Sequence, residues 1–264
     1  MRLLRDQLKT QELGQRQIDV YAGLNVMILL LELHRYGQER DELKDKIMFY
    51  PCGQPNAEGK LDDASRLLRL IGYSCCVGNL GFFQTVGRFL SGANLIGANL
   101  SDVNLSDVNL IHADLSGADL SNVNLIHADL SGANLSGANL INADLRGANL
   151  IHADLIRTDF SLADLRGANL IHADLIRANF CRANLSGADL WGANLWGANL
   201  SRANLIHANL SGADLSDANL RRAYLGDRTF GDVKWNENTK WDNVRGLDTA
   251  VGVPEALRQQ LGMQ

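Results

Sequence analysis

Between Phe89 and Leu225 the apolar and polar positions of the chain recur every five residues. Almost every fifth residue is leucine, from Leu90 to Leu225, twenty-eight positions in all, with Phe160 and Phe180 as larger variants. The residue two places earlier is nearly always alanine, and the one between them is asparagine or aspartate. A five-residue step rotates about 140° around an α-helix, which would scatter the leucines over every side of it. A continuous strand would need unbroken alternation, which this pattern interrupts once per unit. Within one unit, however, alanine and leucine lie two apart, so a short extended segment points both to one side. The remaining pair, typically Ser-Gly, Ile-His or Arg-Gly, then turns the chain. Glycine accepts positive φ at such a corner. Asparagine or aspartate suits side-chain-to-backbone bonding beside one. Extended segment plus corner, repeated, predicts a mainly β fold, a coil whose turns stack by backbone hydrogen bonds about 4.8 Å apart. The repeat weakens after Tyr224, through Phe230 and Trp235.

The flanks follow other patterns. Gln17–Arg35 has the length and apolar content of a buried helix. Gln38–Ile47 reads as a charged helix with Glu42 and Lys46 at i,i+4. Leu61, Ala64, Leu67, Leu68 and Ile71 form one helical stripe. The stretch 50–60, with Pro51, Gly53, Pro55 and Gly59, is predicted as a loop. At the other end, Val233–Trp241 carries two tryptophans, and Pro254–Leu261 reads as a short helix with proline in its first turn. The expected organisation is a helical N-terminal domain or cap over 1–78, a solenoid over 79–235 and a C-terminal cap over 236–264. Caps are required because an open solenoid end exposes core side chains and unpaired strand edges.

Composition narrows the function. A net charge of −5 in 264 residues is mild and gives no basic face of the kind nucleic-acid binders carry, so no direct nucleic-acid contact is expected. The N-terminal MRLLRDQLKTQELGQRQ is too polar for a signal peptide. Val20–Leu31, the most apolar run, is shorter than the roughly 20 residues a membrane span needs. Cys52, Cys75, Cys76 and Cys181 have no metal-binding spacing and read as reduced thiols of a cytoplasmic protein. No nucleophile elbow, phosphate-cradling loop or metalloprotease motif is present, so the chain is expected to be no enzyme and to need no cofactor.

The units SGANL, IGANL, SGADL, RGANL and IHADL carry a resemblance to the pentapeptide-repeat proteins, whose consensus is A-(N/D)-L-x-x. The resemblance covers about half the chain and implies a right-handed quadrilateral β-helix of about seven coils, with alanine and leucine inside. Val103, Val108, Val123 and Thr158 replace the inward alanine and should distort the wall locally. If four units make a coil, residues twenty apart stack. One column then holds Ile151, Ile171 and Trp191, the next holds Ile156, Ile176 and Trp196, and together they make an apolar, partner-binding patch. Arg157 and Arg177 share a column, as do Arg182, Arg202 and Arg222, all able to meet an acidic partner or phosphate. His152 and His172 stack as a pH-sensitive pair. A metal would need three or four converging ligands, and none is expected.

The function this implies is a non-enzymatic protein-interaction or scaffold module of a bacterial cytoplasm, its partner another protein and the monomer favoured over a dimer. The resemblance also brings an alternative, since some members modulate DNA gyrase by mimicking duplex DNA. Residues 86–230 hold 14 Asp, no Glu and 10 Arg, a net of −4. Duplex DNA of comparable length, about 34 Å, carries some 20 charges, which disfavours mimicry.

Overall fold

The units between Leu90 and Leu225 fold alike in the computed structural model, which describes residue 87, residues 90–227 and residues 231–263. In each, the inward alanine donates its N–H to the carbonyl of the leucine three places back, as Ala93 does to Leu90 at 3.0 Å, closing a tight turn. The second corner residue takes φ between 55° and 70° throughout, the left-handed value that a type II turn demands. Glycine is not required for it. Sixteen of the 27 such positions from residue 92 to residue 222 carry a side chain, including five histidines and five arginines. Each of these stands against an intrinsic penalty of about 1–2 kcal/mol. The surrounding ladder holds the backbone in that shape.

That ladder is parallel and joins residues twenty apart, from Asn94↔Asp114 to Asn204↔Tyr224. Leu95 donates to Asp114 O at 2.7 Å, and Asp114 donates back to Ala93 O at 2.9 Å. Twenty residues therefore complete one turn of a four-sided coil. The asparagine or aspartate of each wall closes the following corner: Oδ1 of Asn109 accepts the N–H of Ile111 at 3.1 Å, and Oδ1 of Asp189 that of Trp191 at 3.1 Å. Asparagines also bond between coils, as Asn139 Nδ2 does to Asp119 Oδ1 at 3.1 Å and Asn199 Nδ2 to Asn179 Oδ1 at 2.9 Å. Polar groups left over from the turns are thus satisfied along the wall.

Alanine and leucine fill the interior, nearly all of them inaccessible to water. Where valine replaces alanine the corner yields. The turn bonds of Val103, Val108 and Val123 stretch to 3.4, 3.4 and 3.3 Å, against about 3.0 Å at alanine. Val103 is also left partly exposed. The expected distortion is present and confined to the unit that causes it. Thr158 fits better, because its buried Oγ1 donates to Leu135 O at 2.8 Å. Phe160 and Phe180 stack inside with ring centroids 4.9 Å apart and planes 1° from parallel.

After Leu225 the regular spacing ends. A two-residue hairpin, β1 (Gly226–Asp227) against β2 (Gly231–Asp232), is inserted. Wall pairing then resumes at wider offsets, Asn209↔Lys234, Asp214↔Lys240, Asn219↔Arg245 and Tyr224↔Val251. A 3-10 turn, Leu247–Thr249, and a helix, α1 (Glu255–Gln260), follow, with Pro254 immediately before the helix. Leu257 of α1 is fully buried, and Val233, Trp241, Leu247 and Val253 join the core with it. Trp235 Nε1 donates to Gln260 Oε1 at 3.0 Å, tying α1 to the wall. The helices expected at Gln17–Arg35, Gln38–Ile47 and 61–71, and the loop at 50–60, lie outside the described residues. Among the described residues no helix is long and apolar enough to cross a membrane.

Candidate partner-binding surface

With the inward positions filled, the outer surface consists of four corners joined by four polar walls. The first corner carries Ile151, Ile171 and Trp191, each followed by its positive-φ neighbour, His152, His172 and Gly192. The isoleucines are half-buried and the histidines exposed, while Trp191 keeps 45% of its surface exposed. His152 and His172 stack with centroids 5.3 Å apart and planes 3° from parallel. The Trp191 ring meets His172 edge to face at 4.5 Å. Gly192 makes this possible: a Cβ there would stand 2.6 Å from His172 Cε1, so the imidazole occupies the space a side chain would need. His112 covers Gly132 in the same way, its Nδ1 3.4 Å from that residue's carbonyl oxygen.

The second corner pairs Ile156 with Arg157, Ile176 with Arg177 and Trp196 with Gly197. Here the indole lies under a cation, with Arg177 Cζ 5.1 Å from the Trp196 ring centroid. An open groove follows this corner, lined by Ser136, Gly137, Ile156, Arg157, Ile176, Arg177 and Trp196. It continues past Trp196 to Asp217, Asn243, Val244 and Arg245. The two tryptophans therefore stand on successive corners, with Asn194 in the wall between them.

Charge divides the arginines into two groups. Arg146 and Arg166, on the fourth corner, are neutralised within the chain: Arg146 reaches Asp144 at 2.7 Å and Asp164 at 3.9 Å, and Arg166 reaches Asp164 at 2.6 Å. The hydrogen bond from Arg146 holds the Asp144 carboxyl below its ordinary value of 3.8, against the opposing effect of partial burial. Arg157, Arg177, Arg182, Arg202 and Arg222 are exposed, and among the described residues none of them has an ion-pair partner. Arg182, Arg202 and Arg222 occupy the third corner, a wall away from the groove. Among the described residues no three His, Cys, Asp or Glu side chains converge as a metal site.

Sequence reasoning missed the groove's continuation through Val244 and Arg245, which reach the second corner only because the last coil is longer than twenty residues. It also missed Leu162, 50% exposed at φ 63° on the third corner.

The model for "Pentapeptide repeats" matches residues 90–125, 124–161, 143–182, 163–201 and 183–222, with eight copies in all. Among solved structures, HetL, a pentapeptide repeat protein involved in heterocyst differentiation regulation in the cyanobacterium Nostoc sp. strain PCC 7120, is 33% identical. The likeness covers 61% of this chain and 81% of HetL, with a TM-score of 0.37. A pentapeptide repeat protein from the Arabidopsis thaliana thylakoid lumen is 38% identical over 41% of this chain and 68% of its own, with a TM-score of 0.29. QnrB1, a plasmid-mediated fluoroquinolone resistance protein, is 20% identical over 66% of this chain and 90% of its own, with a TM-score of 0.49. No curated protein matches the chain.

Proposed function

The chain belongs to the pentapeptide-repeat family, whose solenoids are right-handed quadrilateral β-helices and whose members are generally non-catalytic structural or interaction modules, and on that premise we propose that it is a cytoplasmic scaffold that binds another protein along its first and second corners. The observation that carries this reading is the groove of the second corner, where Trp196 and two isoleucines sit beside the guanidiniums of Arg157 and Arg177, which have no ion-pair partner among the described residues. Tryptophan and arginine are the residues that most often dominate binding energy at protein interfaces. Here both are already ordered, Trp196 by Arg177 and Trp191 by His172, so little side-chain freedom remains to be lost on association. Ile151 and Ile171 extend the apolar edge on the first corner, beside the stacked rings of His152 and His172. Mimicry of duplex DNA is not favoured, because residues 86–230 carry 10 Arg against 14 Asp, and exposed arginines such as Arg157, Arg177 and Arg202 stand where a phosphate-like surface would need negative charge.

The test is capture from source-cell lysate with wild type and the double variant Trp191→Ala, Trp196→Ala. Wild type should retain a specific protein that the variant loses, while both give the same circular dichroism and the same urea midpoint. Equal capture of that protein by the folded variant would remove the two corners from the interface.

A further inference from the structure

The third corner has an order that neither the fold nor the groove explains. In chain order, its second residues are Asp102, Asn122, Asn142, Leu162, Arg182, Arg202 and Arg222. They form one continuous file: Asp102 N–H donates to Ser121 O at 2.9 Å, Leu162 N–H to Cys181 O at 3.0 Å, and Arg202 N–H to Arg221 O at 2.9 Å. All seven are exposed and all have φ between 55° and 61°, except Leu162 at 63°. Acid stands at one end and base at the other, with amides and a single leucine between. The three arginines repeat at about 4.8 Å, the coil rise, close enough to repel one another. Leu162 exposes half its surface in a conformation that a bulky side chain adopts at a cost.

Such a file is complementary to itself when reversed. We propose that two copies of this chain pair antiparallel along their third corners, about a two-fold axis through Leu162. Asp102 of each copy then meets Arg222 of the other, Asn122 meets Arg202, and Asn142 meets Arg182. The two Leu162 side chains meet on the axis, where Ile141 opposite Cys181 on either side enlarges the apolar centre. This is the isologous arrangement that closed dimers use. It covers the one exposed leucine of the corner and gives the outermost arginine a carboxylate that no described residue of its own chain supplies. The strip runs about 29 Å, six intervals of about 4.8 Å. Contact between two narrow edges of that length falls below the area of stable dimers, so the pairing is reversible, with a dissociation constant on the order of 10–100 µM at low salt. The expectation of a monomer drawn from the sequence then holds only in dilute solution. The first corner lies diagonally opposite and the second, with its groove, a wall away, so substitutions at Asp102 and Arg222 test the dimer without altering Trp191 or Trp196.

Sedimentation equilibrium of the full chain between 10 and 500 µM, in 50 mM NaCl, tests this. Wild type should follow a monomer–dimer equilibrium whose dissociation constant rises about tenfold or more in 500 mM NaCl. Asp102→Arg and Arg222→Asp should each be monomeric throughout, with wild-type urea midpoints. Mixed in equal amounts they should dimerise again, because the only complementary pairing left is between the two variants. Arg222→Ser should fall between wild type and Arg222→Asp. A wild type that stays monomeric at 500 µM, as it would if a foreign acidic protein were the natural occupant, overturns the proposal. So does a dimer that either charge reversal leaves intact, or a mixture that stays monomeric.

Discussion

Replacing the stacked phenylalanines by leucine asks whether the interior behaves as independent layers or as coupled ones. Phe160 and Phe180 are both fully buried, with centroids 4.9 Å apart and planes 1° from parallel. The separation is imposed by the coil rise of about 4.8 Å, so neither ring can approach or withdraw without breaking the wall. Leucine occupies the equivalent position in almost every other unit, so a Phe→Leu change returns the site to the pattern of the fold rather than opening a large void. Each single substitution loses the ring–ring term, about 1 kcal/mol, and on the order of 0.5 kcal/mol more for apolar volume not refilled. The double variant loses the ring term only once. Its expected cost is therefore about 2 kcal/mol, where two independent sites would give about 3 kcal/mol. Urea denaturation of wild type, both singles and the double, with unchanged m-values, measures the difference directly. Additivity to within about 0.3 kcal/mol would refute the coupling and leave each coil packing on its own.

Substitutions at two further positions bear on the corners. His207 is exposed with φ 61° and makes no ring contact among the described residues, so His207→Gly should raise stability by roughly 0.5–1 kcal/mol, and His207→Val should lower it. A fall in the urea midpoint with glycine would mean that the imidazole itself stabilises the corner by more than its backbone conformation costs. Arg146→Gln should narrow the stability margin at pH 5–7, where Asp144 is ionised. Because the folded carboxyl titrates below 3.8, the stability it contributes is present above that value and is lost as pH falls through the lowered one. Wild type and variant should therefore converge in strong acid. The difference is small and salt-sensitive for so exposed a pair, and curves that diverge on acidification would contradict the assignment.

The interior could be read from the chain because one rule, apolar side chains two apart in every five, leaves a single way to bury them. Leu90 through Leu225 lie where that rule puts them. The number of units per turn is not contained in the period of five. It came from the resemblance to a family, and the ladder of residues twenty apart bears it out. The contacts at the surface were less legible. That His172 meets Trp191 depends on Gly192, whose missing side chain leaves room for the imidazole, whereas Arg177 reaches Trp196 through the length of its own side chain. Column arithmetic aligned these residues without saying which would touch. It failed altogether after Leu225, where the hairpin and longer corners widen the spacing to 25–27 residues and carry Arg245 into the groove. The sharing of arginines between Asp-bound and free groups also escaped it, since Asp144 and Asp164 capture Arg146 and Arg166 through side-chain reach.

The twenty-residue ladder also fixes how this protein can change length. Inserting or deleting twenty residues slides everything downstream along the axis and leaves each corner in phase. Inserting five turns the downstream half by a quarter revolution, with no loss of core, because the new unit is as apolar inside as its neighbours. Such a change anywhere between Asp102 and Arg182 would move the acidic and basic ends of the third corner onto different edges. The wall would tolerate it and any contact spanning several coils would not, so length variation in steps other than twenty acts on recognition while sparing stability.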